Sequence, residues 1–151
     1  MQKPVAARKA RGTFLTSPTG VRLLTTPPTS PFSPLSPVVL VVDDEAVILE
    51  MMARALLQAG YTVHRAGSGP DAIALAERLP RPPDLVVTDL RMDPMGGAEL
   101  AELLFSRRLA SRFLFVSGFG PVAEYNEDFG PFLAKPFSPE RLIEAVSNVL
   151  A

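Results

Sequence analysis

Six polar residues stand directly after short apolar runs. Asp43, Asp44 and Glu45 follow Val38–Val42, Asp89 follows LeuValValThr (85–88), Ser117 follows PheLeuPheVal (113–116), and Lys135 follows PheLeuAla (132–134). Gathered carboxylates with little positive charge repel one another unless a cation joins them. Oxygen-only donors favour a hard divalent ion, magnesium above all, because it takes one or two carboxylates and keeps waters that a phosphate oxygen displaces. A lysine and a hydroxyl beside that ion suit the remaining phosphoryl oxygens. One carboxylate then becomes the nucleophile, and the chemistry is phosphoryl transfer to an aspartate.

That chemistry requires elements that bring these residues together. Val38–Val42 is wholly apolar and mostly β-branched, as in a strand buried on both faces. Residues 46–59 carry Val47, Met51, Met52, Ala55, Leu56 and Ala59 at helical spacing, and Gly60 stops the helix. The pattern continues with a strand at 61–64, a helix at 69–78, a break at ProArgProPro (80–83), a strand at 85–88 and a helix at 97–108. Further strands follow at 113–116 and 132–134. Ser138 then caps a last helix with Pro139 at its first position and Leu142, Ile143, Val146, Val149 and Leu150 as its apolar face. Strands alternate with helices, which predicts a doubly wound α/β fold around a five-stranded parallel sheet. In such a sheet, functional groups collect beyond the carboxyl ends of the strands, where all six residues fall.

Composition narrows the alternatives. The 151 residues contain no cysteine and one histidine, so disulfides, thiolate metal sites and multi-histidine sites are excluded. No apolar run is long enough to span a bilayer, and a cytoplasmic location without membrane contact is expected. Seven of the 16 prolines lie in the first 37 residues, with Lys3, Arg8, Lys9, Arg11 and Arg22 and no acid. Residues 1–37 therefore read as a flexible basic arm of charge +5, and residues 38–151, with 10 basic and 16 acidic side chains, as the folded domain. The arm offers no recognition-helix motif, so no nucleic-acid partner is expected. His64 reads as structural and Arg107-Arg108 as a solvated helix end.

The blocks VVLVVDDE, DLVVTDLRM, LFVSG and FLAKPF, in this order on a β–α repeat, resemble the receiver domain of two-component response regulators over residues 38–151. The resemblance implies a flavodoxin-like strand order, 2-1-3-4-5, and a role for each matching residue. Asp89 is the phosphoacceptor. Asp43, Asp44, Asp89 and the Arg91 backbone carbonyl hold Mg2+, with Asp44 direct and Asp43 through water. Lys135 pairs first with the acceptor and then with a phosphoryl oxygen. Ser117 and Phe132 are the switch residues, and the Lys135-Pro136 bond is cis. The implied function is a signalling switch rather than an enzyme. A sensor histidine kinase or histidine phosphotransfer protein donates the phosphoryl group, and output passes through a downstream protein partner or ends in a relay or sink. No output domain is expected, because none follows Ala151 and the arm is short and polar.

Two departures from the family pattern matter. In the loop after Asp89, Asp93 takes the usual proline position, Pro94 comes one place late and Gly96 takes the usual acid position. Between Ser117 and Phe132, the short stretch with Gly118, Gly120, Pro121, Gly130 and Pro131 leaves only residues 122–127 for a short or displaced fourth helix. An alternative is therefore a receiver-like interaction protein that works without phosphorylation. A phosphohydrolase using an aspartyl-phosphate is disfavoured, because no Asp-x-Asp follows the first strand and no lid is inserted.

Overall fold

The computed structural model describes residues 36–120 and 122–151. Most of the arm lies outside the described residues. Five strands, β1 (Val38–Val42), β2 (Thr62–Ala66), β3 (Leu85–Asp89), β4 (Phe113–Ser117) and β5 (Phe132–Ala134), alternate with α1 (Ala46–Gln58), α2 (Gly69–Arg78), α3 (Gly97–Ser106) and α4 (Pro139–Leu150). All strand pairs are parallel, and the order across the sheet is β2-β1-β3-β4-β5, as expected.

The period-two alternation of the strands sends side chains to two cores. Leu40, Val42, Val86, Phe113 and Phe115 pack on one face with Ala72 and Ala76 of α2 and Leu100, Ala101 and Leu104 of α3. Val39, Val41, Leu85, Val87, Leu114 and Val116 pack on the other with Met52 and Leu56 of α1 and Leu142 and Val146 of α4. Each fully buried valine, leucine, methionine or phenylalanine among them contributes about 1.5–3 kcal/mol. Every residue of β3 and β4 is buried, so their polar ends are held by packed strands. Among the described residues no helix is long and apolar enough to cross a membrane.

Local chemistry sets the helix ends. Ser68 and Ser138 accept hydrogen bonds from Asp71 N–H and Arg141 N–H, each with proline in the first turn. The third helix stops at Ser106 rather than Arg108. Arg108 is left-handed (φ 58), and Leu109 N–H folds back to the Leu104 carbonyl at 2.8 Å.

The expected fourth helix over 122–127 does not form. Instead the segment turns repeatedly, with Tyr125 N–H on Val122 O, Phe129 N–H on Asn126 O and Gly130 N–H on Glu127 O. Asn126 Oδ1 accepts Asp128 N–H at 2.9 Å, a side-chain turn that competes with helix. Gly130 then lies so close to the Phe113 carbonyl that a Cβ would collide with it.

Candidate functional site

The parallel strands end along one edge of the sheet. Asp43 leaves β1, Asp89 closes β3, Ser117 closes β4 and Lys135 leaves β5. Register keeps neighbours aligned: Asp89 pairs with Val116 and Ser117 with Ala134. Lys135 N–H donates to Ser117 O at 2.9 Å, continuing the ladder one residue beyond β5.

Lys135 occupies the centre of the cluster. Its Nζ donates to Asp43 Oδ2 and Asp89 Oδ2, both at 3.0 Å, and to Glu45 Oε1 at 3.3 Å. The second oxygens are held by main chain: Asp43 Oδ1 accepts Glu45 N–H at 2.9 Å, and Asp89 Oδ1 accepts Arg91 N–H at 3.1 Å. Asp43 is fully buried and Asp89 nearly so. Burial pushes the Asp43 carboxyl above its usual 3.8, and the nearby Asp89 charge adds to this. The Glu45 N–H and Lys135 bonds oppose the rise without cancelling it. Burial acts on Lys135 in the opposite sense, but its hydrogen bonds to Asp89 and Asp43 prevail and hold the ammonium above the ordinary lysine value.

Asp43, Glu45 and Asp89 each present a carboxylate oxygen, and these oxygens lie within 4.8 Å of one another. Three carboxylates against one ammonium leave two formal negative charges. The oxygen-only donor set and the excess negative charge both fit a hard divalent cation.

Ser117 is buried, and its Oγ accepts Phe119 N–H at 3.3 Å. Phe132 is half-buried beside Tyr125, with ring centroids 6.1 Å apart. Tyr125 stands edge-on to Phe115 and donates its hydroxyl to Gly130 O. The Lys135-Pro136 bond is cis, and so is Asp93-Pro94.

Of the residues singled out in the sequence, the structure joins Asp43, Asp89 and Lys135 directly and sets Ser117 beside them. Asp44 is exposed and outside the carboxylate group. It lines a shallow depression of about 450 Å³ with Arg91, Asp93, Val122 and Glu124. Glu45 takes part as one of the gathered carboxylates, although the family resemblance assigned it no role. The signal was its place directly behind the acid pair, at the extended N-cap of α1, from which its carboxylate reaches Lys135. Gly97 was also missed: a Cβ there would collide with the Asp89 carbonyl, so this glycine lets α3 begin against the end of β3.

The described fold has counterparts among solved structures. The chain is similar to the chemotaxis response regulator CheY4 of Vibrio cholerae, with TM-score 0.68 and 29% identity over 76% of this chain and 99% of that one. Residues 39–147 match the response regulator receiver domain family, and the chain belongs to that family. It is 38% identical over 120 residues to the sensor kinase CckA of Brucella abortus, covering 76% of this chain and 13% of that protein. It is 36% identical over 113 residues to the transcriptional regulatory protein PdtaR of Mycobacterium tuberculosis, covering 72% of this chain and 54% of that protein. The chain thus spans about half or less of these two curated relatives.

Proposed function

We propose that this chain is a phosphoacceptor switch of a two-component system, with Asp89 as acceptor. The observation that carries this reading is the Lys135 ammonium, held 3.0 Å from both Asp89 and the buried Asp43. A phosphohistidine on a sensor histidine kinase or histidine phosphotransfer protein is the donor. An Asp89 carboxylate oxygen bonds to phosphorus as the P–N bond breaks, and the electron pair leaves with the imidazole nitrogen. Lys135, already aimed at Asp89, turns an N–H toward a phosphoryl oxygen. The Ser117 hydroxyl has a proton to donate to another.

Asp43, Glu45 and Asp89 would hold magnesium, with Asp44 and the Arg91 carbonyl as the further ligands that the family resemblance implies. A bound magnesium ion supplies neutralisation of charge on the transferring phosphoryl oxygens. Output runs through a protein partner, or the domain acts as a relay or sink. A donor loaded from ATP sets the exchange in the cytoplasm.

Incubation with acetyl phosphate and Mg2+, followed by intact mass, tests this reading. The wild type gains one phosphoryl mass, Asp89→Asn does not, and chelator abolishes the gain. Asp44→Ala weakens magnesium binding, and unchanged affinity would remove Asp44 from the metal set. A folded wild type that never labels would instead make the chain a receiver-shaped interaction module.

A further inference from the structure

The strands begin along the edge of the sheet opposite the acidic one, and that edge carries the opposite sign. Arg78 and Arg81 precede β3, and Arg107, Arg108 and Arg112 precede β4. All five are exposed, and they are half of the 10 basic residues in 38–151. β3 and β4 are neighbours in the sheet, and Val86 N–H donates to Arg112 O at 3.0 Å, so the two entering loops lie side by side. The two acids beside these arginines are both engaged. Glu77 pairs with Arg107 at 3.7 Å, and Asp84 Oδ2 accepts Val38 N–H at 2.8 Å. Among the described residues, Arg78, Arg81, Arg108 and Arg112 belong to no ion pair. Residues 77–84 and 106–112 thus hold five arginines and two acids, a formal surplus of three positive charges.

A cleft of about 480 Å³ opens between these loops, lined by Pro82, Phe105, Ser106, Arg108, Ala110 and Ser111. Arg81 and Arg112 adjoin two of these residues in sequence. Phe105, near the end of α3, is 52% exposed. Its ring packs edge-on against Phe129, with centroids 5.5 Å apart, so its free face is fixed before any ligand arrives. Arg108 is set by the turn that ends α3, with φ 58 and the Leu109 N–H bond to Leu104 O. An aromatic floor beside unpaired guanidinium groups suits an apolar side chain flanked by carboxylates. A nucleic-acid strand needs successive stacking platforms along a basic track, and Phe105 is the one aromatic ring lining this cleft. Residues 1–37 carry basic side chains and no acid, so the chain's own arm has the wrong sign to fill it.

We propose that this cleft docks an acidic segment of a partner protein, with an apolar side chain against Phe105 and Pro82 and its carboxylates on Arg81, Arg108 and Arg112. The length of β3 and β4 places it roughly 15 Å from the acidic edge. A partner held here leaves Asp89 and Lys135 open, so docking needs no phosphoryl group and stands apart from the acceptor reading. Guanidinium forks bind carboxylates in pairs, and the ring selects acidic segments that also carry an apolar residue. Exposed charge pairs are individually weak and salt-sensitive, so the arginines act as a group.

The test uses the full chain and the fluorescence anisotropy of a fluorescein-labelled peptide with one leucine between two runs of glutamate. The peptide binds saturably, and binding weakens as salt rises. Arg108→Gln and Phe105→Ala each weaken it about 3- to 10-fold, and combining Arg81→Gln, Arg108→Gln and Arg112→Gln weakens it about 10-fold or more. Replacing the peptide's leucine with alanine weakens binding as much as Phe105→Ala does. Changing Lys3, Arg8, Lys9, Arg11 and Arg22 to glutamine leaves binding unchanged. Far-UV circular dichroism checks folding, and exposed Arg108→Gln carries the test should Phe105→Ala unfold. No binding, or binding lost only with the basic residues of the arm, would overturn the proposal. Tighter binding of labelled oligothymidylate or of phosphatidylglycerol vesicles, lost in the same cleft variants, would overturn it in favour of nucleic acid or lipid. Self-association in sedimentation that those variants abolish would overturn it in favour of a second copy of this chain.

Discussion

Replacing Lys135 with methionine keeps an unbranched apolar stem and deletes the ammonium that three carboxylates share. The Lys135 side chain is 14% exposed, against 0% for Asp43 and 7% for Asp89, so water screens these two pairs weakly. Glu45 is 65% exposed and its pair adds little. At 3.0 Å and an effective dielectric near 20, each buried pair is worth roughly 5 kcal/mol before desolvation is counted. The measured loss is smaller, because a stranded carboxylate takes up a proton. Protonating a carboxylate of ordinary pKa 3.8 at a solution pH of about 7 costs roughly 4 kcal/mol at about 1.4 kcal/mol per unit, and less for Asp43, whose folded value already lies higher. Removing one partner from a buried pair costs about 3–5 kcal/mol. Lys135→Met should therefore lose about 2–4 kcal/mol at neutral pH, measured by urea unfolding in chelator with circular dichroism at 222 nm. The sign with pH follows. Asp43 rises further above its unfolded value in the variant, so the deficit is greatest at neutral pH and shrinks toward pH 4. A loss below about 0.5 kcal/mol, or one constant from pH 4 to 7, would refute this account of the cluster.

Two other changes probe separate parts of the structure. Because folding raises the Asp43 pKa, its stabilising contribution is present below 3.8 and lost as pH rises through the folded value. Asp43→Asn should remove that decline and make the chelator-treated protein more stable at pH 7; a lower melting temperature at pH 7 would contradict the sign. Gly130→Ala drives a Cβ into the Phe113 carbonyl and should cost about 1–3 kcal/mol. Wild-type urea midpoints in that variant would mean the turn moves freely off β4.

Much of this molecule is legible in its sequence. The strands β1, β3 and β4 are short apolar runs with a charged or hydroxyl residue at the end, and neither a helix nor a loop explains that pattern well. Parallel topology then sends Asp43, Asp89, Ser117 and Lys135 to a single edge without any need for side-chain detail. The region 118–131 was harder, because Val122, Ala123 and Glu124 suit a helix by type. Asn126 capturing Asp128 N–H and Gly130 pressed on β4 decide for turns, and both are contacts that spacing does not report. The division of labour between Asp44 and Glu45 was also hidden. Adjacent acids look alike in a string, and only the onset of α1 determines which carboxylate meets Lys135 and which faces the Arg91 depression.

The turn segment ahead of β5 has a consequence for how this lineage can change. Tyr125 closes over Phe115 and ties its hydroxyl to Gly130, so those residues plug the sheet where a helix would otherwise lie. The chain leaves the acidic edge for the plug through Gly118 and Phe119, Val122 and Glu124 line the depression beside Asp44, and Lys135 is fixed by the β4 ladder. Between the plug's two anchors Phe129 packs edge-on against Phe105 and Phe113, whereas Asn126, Glu127 and Asp128 are exposed and can be exchanged with little effect on the chemistry. Such a stretch is where daughter proteins can acquire new docking preferences while the reaction centre is inherited unaltered.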